Sequence, residues 1–85
     1  RFSLDDAEEY FHNKGFEAAV VGKDDNLIII LKKRNGINMD SLVLSFSEFY
    51  KIHHSAVNIF GIIDIPKNSS SKIDYKKLEE KYINN

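Results

Sequence analysis

Cysteine is absent from the 85 residues. That excludes disulfides, thiolate metal sites and a cysteine nucleophile. Proline occurs once, at Pro66. An excess of either charge is missing as well. Twelve basic residues face thirteen acidic ones, for a formal net charge of −1. Such a balance gives no electrostatic reason to expect a nucleic-acid or anionic-membrane partner. No apolar run approaches the roughly 18 residues needed to span a bilayer. No stretch reads as a charged-then-apolar leader. Without cysteine the composition is compatible with the cytosol, and a cytoplasmic location is the expectation.

What is present is the composition of a folded soluble domain, 42% hydrophobic and 29% charged. The length suits one domain over residues 1–85. A domain of this size buries roughly 60–65% of its unfolded surface, so modest stability is expected. The first residue is Arg1, not Met. The expectation is a piece excised from a larger chain.

The pattern along the chain is α-β-β-α-β-α. In "RFSLDDAEEYFHNKG", Ser3 is a good N-cap with Asp6 three residues on. Leu4, Ala7 and Phe11 then share one helical face. Gly15 stops that helix. Residues 17–22 and 27–33 are β-rich and nearly continuous in apolar residues, with "KDDN" as the turn of a hairpin covered on both faces. "DSLVLSFSEFYKI" fits helical and strand spacing alike, and its length favours helix. "VNIFGIIDI" reads as a third strand closed by Pro66. The last helix begins at Asp74, with Ile73 and Leu78 placed as a hydrophobic staple. A strand reached through a helix implies a parallel crossover. The fold class is therefore α+β, with a small three-stranded mixed sheet packed with helices.

Few residues invite chemistry. By spacing alone, Lys72 is a solvated loop lysine behind Ser69, Ser70 and Ser71. The alternative is a compact ammonium presented to a phosphate or carboxylate. His53 and His54 are adjacent, so they diverge in a helix and in a strand; no metal site is expected. His12 reads as a surface helix residue. The acidic cluster Asp5, Asp6, Glu8 and Glu9 reads as a helix N-terminus that favours negative charge. "GKDDN" has one glycine and no following helix, so it is not a phosphate loop.

Taken whole, "IDIPKNSSSKIDYKKLEEKY" resembles the end of the AMP-forming acyl-adenylate ligases, the superfamily of acyl- and aryl-CoA synthetases, peptide-synthetase adenylation domains and luciferases. Pro66 and Lys72 have that family's proline-to-lysine spacing, and Ile73, Asp74, Lys76 and Leu78 follow in register. "RFSLDDAEEYF" is similar to the segment after the family's hinge, through Arg1, Phe2, Leu4 and Glu8. "EAAVVGKDD" is similar to its Ala-Val-Val-Gly strand. The three segments run in the family's order across nearly the whole chain. There are departures. Ser71 stands where the family has glycine, Tyr75 stands where it often has arginine, and the middle is shorter than usual.

The resemblance implies a C-terminal lid domain, inactive alone, that closes on a large N-terminal adenylation domain. The whole enzyme would join a carboxylic acid to ATP, forming an acyl-adenylate. It would then pass the acyl group to the thiol of CoA or of a carrier protein's phosphopantetheine. ATP or AMP and Mg²⁺ would sit mainly in the large domain. Lys72 would be the catalytic lysine of the adenylation step, Ser69, Ser70 and Ser71 the loop presenting it, and Arg1 a residue on the acceptor side. A competing reading is a lid-like binding module without catalysis, docking a carrier protein or larger subunit. Ser71 and the lack of the hinge motif within the 85 residues motivate it.

Overall fold

The computed structural model describes residues 3–23 and 25–83. Helix α1 runs Leu4–Asn13. Its start is a capping box: Asp6 N donates to Ser3 Oγ and Ser3 N donates to Asp6 Oδ2, both at 3.1 Å. After its C-cap at Lys14 the chain turns through Gly15 at φ +88°.

Strands β1 (Ala18–Lys23) and β2 (Asn26–Lys32) form an antiparallel hairpin. Asp24, in the expected "KDDN" turn, lies outside the described residues. Gly22 is the position where only glycine fits, since at φ +103° an added Cβ would lie 2.2 Å from Asn26 O. Helix α2 (Met39–Tyr50) is capped by Asn38, whose Oδ1 accepts from Ser41 N at 3.1 Å. Helix thus prevails in the segment of ambiguous spacing. A 3₁₀ turn over His54–Ala56 leads into β3 (Val57–Ile62), which pairs parallel to β2. Helix α3 (Tyr75–Tyr82) ends the fold, with Asp74 as its cap, as the staple of Ile73 and Leu78 implies.

The result is an α+β domain with a mixed three-stranded sheet in the order β1-β2-β3. Its two faces carry separate cores. Phe11 of α1 and Phe46 of α2, both fully buried, pack with Ala18, Val20, Leu27, Ile29, Leu31 and Val57 on one face. The alternate residues Ala19, Val21, Ile28 and Ile30 pack on the other face against Ile65 and Leu78. That alternation is the period of two that strands impose. It explains why both hairpin runs are nearly continuous in apolar residues.

The third strand is shorter than its apolar run. Val57–Ile62 is strand, and the chain then bends at residues 63–64. Ile63 is 84% exposed while Ile65 is buried in the α3-side core. The run "IIDI" is therefore an exit from the sheet, not its last turn of ladder.

Candidate functional site

Lys72 lies in a short loop that leaves the core at Ile65 and returns to it through α3. Each stage is closed by specific bonds. Asp74 N donates to Pro66 O at 2.9 Å, and Lys67 and Ile73 form an antiparallel bridge. Inside that bridge Asn68 N donates to Lys72 O at 2.8 Å, and Ser71 N donates to Asn68 O at 2.9 Å. The Asn68 side chain ties the tip: its Oδ1 accepts from Ser70 N at 2.8 Å and from Lys72 N at 3.2 Å. An asparagine that caps its own turn in this way is a local device that needs no core.

Ser71 adopts φ +63°, the left-handed region, where it closes the turn before the chain re-enters the bridge. Glycine favours that conformation and a serine tolerates it at a cost of about 1 kcal/mol. The departure from the resembled family therefore falls on the one loop residue whose backbone prefers glycine. The hydrogen bonds that shape the tip use the N–H groups of Ser70, Ser71 and Lys72. Lys72 itself is exposed. Among the described residues its ammonium enters no ion pair. It is available to an incoming anion.

The far side of the loop is held firmly. Asp74 Oδ1 accepts from Lys77 N at 3.1 Å, capping α3. Ile73 and Leu78 pack in one cluster, the staple expected from their spacing. Tyr75, three residues after Lys72, turns its side chain back to α1: Tyr75 Oη donates to Glu8 Oε2 at 2.6 Å. The same Glu8 oxygen accepts from Val20 N at 3.0 Å. One carboxylate thus joins α1, β1 and the first turn of α3. Burial, the hydrogen bond to Glu8 and the nearby negative charges of Glu8 and Asp5 all push the Tyr75 hydroxyl above its ordinary range.

Glu8 corrects the reading of the acidic cluster. Asp5 and Asp6 do sit in the first turn of α1, but Glu8 is buried, not a solvated helix-end charge. The signal was its place one turn after Leu4, on the apolar face with Phe11. His12, a further turn on, is exposed and sets Nε2 3.2 Å from Ala18 O. The Ala18 and Val20 groups point away from β2 in the alternating antiparallel ladder. Glu8 and His12 thereby blunt the outer edge of the sheet.

Of the residues singled out in the sequence, Ser69, Ser70, Ser71 and Lys72 stand together in the loop. Arg1 lies outside the described residues. The rings of His53 and His54 stack at 4.4 Å, and His53 Nδ1 lies 2.8 Å from Ser55 Oγ. No group of three His, Cys, Asp or Glu side chains among the described residues can hold a metal. No helix among the described residues is long and apolar enough to cross a membrane.

Comparison with known proteins returned no matching family model, no matching curated protein and no matching solved structure.

Proposed function

We propose that this chain is the lid domain of an ATP-dependent, AMP-forming carboxylic acid ligase, with Lys72 as its adenylation lysine. The observation that carries the reading is the Lys72 loop. A proline and a lysine at the resembled spacing bracket a turn tied by Asn68, and that turn leaves the Lys72 ammonium exposed, with a second exposed lysine, Lys67, just after the proline. Ser71 adds support, because it takes a left-handed backbone at the position where the family has glycine. The order of helices and strands is compatible with the same reading.

The physics of the step suits this geometry. Attack of a carboxylate on an α-phosphate brings two anions together and builds charge on phosphate oxygens. A positioned ammonium offsets that repulsion and holds the attacking oxygen in line. Lysine acts here as a compact point charge with three donors, and it transfers no proton. A lysine carried on a closing domain acts only in the closed state, when water is excluded. ATP, which the large domain would hold with Mg²⁺, would give its adenylyl group to the carboxylate and release pyrophosphate; the thiol of CoA or a carrier phosphopantetheine would then take the acyl group and release AMP.

Tyr75 has a different role from the arginine often found at that place. Its hydroxyl is spent on Glu8, so it supplies no cation. It fixes the helix from which the lysine loop springs. The test is acid-dependent ATP–pyrophosphate exchange by a full-length protein carrying this domain. Lys72→Ala should lose exchange while the purified protein stays folded. Unimpaired exchange would remove Lys72 from the chemistry.

A further inference from the structure

Helix α3 covers only part of its face of the sheet. A helix is about 10 Å across and strands lie about 4.8 Å apart, so one helix cannot roof three strands. With eight residues, α3 seals its core over β1 and β2 through Leu78. The parallel register places Phe60 beside Ile30, on the α3 face. Phe60 is nevertheless 42% exposed, and the following Ile63 is 84% exposed. Tyr82 closes the near wall, its ring 5.0 Å from that of Phe60. Between α3 and the end of β3 lies an apolar groove of about 550 Å³, floored by Ile62 and Pro66.

The charge around the groove is one-sided. Lys77 and Lys81, one turn apart, line it from α3, while the stem of Lys33 reaches its rim from the α2 face, beside Gly61 and Met39. Asp64 is the one acid among its lining residues, so the two α3 lysines outnumber it on a chain whose total charge is −1. Glu79 of the same helix faces a different cavity, beside Gly22 and Asn26. Helix α3 therefore turns lysines toward the open side of the sheet and an acid away from it.

We infer that this groove docks an acidic amphipathic helix of a partner protein. The floor is apolar, which suits the apolar face of an amphipathic helix. The basic α3 wall selects an acidic flank on the incoming helix and disfavours a basic one. The incoming helix takes the place beside α3 that the chain leaves open. The inference is independent of the role of Lys72 and holds whether or not the domain belongs to a ligase.

The test uses the ¹⁵N-labelled 85-residue chain and two synthetic helical peptides. Both carry the same leucine stripe; one is flanked by glutamates and the other by lysines. The acidic peptide should shift the amides of Phe60, Ile62, Ile63 and Tyr82 in a saturable way, and added salt should weaken it. The Lys77→Glu/Lys81→Glu variant should bind at least about tenfold more weakly, equivalent to about 1.4 kcal/mol. Ile63→Asp, at a side chain already in solvent, should abolish binding with an unchanged far-UV spectrum. Equal binding of the lysine-flanked peptide would overturn the inference, as would absence of saturable shifts or shifts confined to Leu44 and Phe49 on α2. Self-association in sedimentation that Ile63→Asp removes would make the occupant a second copy. Co-sedimentation with phosphatidylserine-containing vesicles that the same variant removes would make it a membrane. Either result overturns a protein-helix partner.

Discussion

Tyr75 Oη and Glu8 Oε2 lie 2.6 Å apart across 67 positions of sequence. The pair joins the helix after the lysine loop to the first helix of the domain. Its carboxylate also holds Val20 N of β1 at 3.0 Å. Tyr75→Phe removes the hydroxyl and leaves a largely buried carboxylate with one fewer donor. Unfolding free energy should fall by about 1–2 kcal/mol. Amide exchange of Ser70, Ser71 and Lys72 should quicken, because α3 anchors that side of the loop. Denaturant titration and exchange measured by NMR check the two parts. Unchanged stability would mean the bond contributes nothing net.

The same pair makes stability depend on alkaline pH. Tyr75 is raised above its ordinary value near 10 chiefly by burial, then by Glu8. The folded state therefore keeps a proton that the unfolded state loses. The stabilisation is full below the unfolded value and declines as pH rises from about 10 toward the folded value. Tyr50, raised by burial and then by Asp6, acts in the same direction. Thermal unfolding should show a falling midpoint above about pH 10, with a shallower fall in Tyr75→Phe. An identical slope in the variant would contradict the assignment.

Ser71 sits at φ +63°. Replacing it with glycine relieves left-handed strain but adds freedom to the unfolded chain. The two effects are each about 1 kcal/mol and oppose one another. Ser71→Gly should therefore leave stability within about 1 kcal/mol of the parent, and on the ligase reading it should retain adenylation. Ser71→Val should destabilise the chain and lower adenylation, because a β-branched side chain resists that conformation. Circular dichroism melts of both variants, with exchange assays on the full-length protein, provide the comparison. Equal tolerance of valine would show that the loop does not depend on this backbone state.

Gly22 is a sharper case. An added Cβ would meet a backbone oxygen, Asn26 O, at 2.2 Å and would also sit at φ +103°. No flexible side chain can yield there. Gly22→Ala should cost more than about 2 kcal/mol, above the usual range for an exposed substitution. A chemical denaturation midpoint near that of the parent would refute the close approach.

Local signals in the sequence carry much of this fold. Ser3 with Asp6, and Ile73 with Leu78, mark helix starts over a few residues, and both behave as their spacing implies. The helix between β2 and β3 implies a parallel pair, which the sheet has. Glu8 was harder to read. Its partners, Val20 N and Tyr75 Oη, lie far away in sequence, and its charge groups it with the solvated acids beside it. "IIDI" misleads for another reason. Its isoleucines serve two purposes, with Ile63 left in solvent and Ile65 in the core, so an apolar run extends past the strand. That Lys72 lies in a loop was legible from the polar run before it; the shape of that loop was not. Asn68 and Ser71 shape it by backbone bonds and a positive φ, which no hydrophobic period records.

Separating the two half-reactions tests the role of Lys72 most directly. A full-length protein carrying Lys72→Ala is assayed for acid-dependent pyrophosphate exchange, and separately for thiol acylation from preformed acyl-adenylate. Loss of a cation that meets the reacting phosphate should slow the first by about a hundredfold or more. The second should change little, since a lysine held on the lid acts only in the closed adenylation state. Normal exchange, or equal loss in both half-reactions, would contradict a lysine dedicated to adenylation.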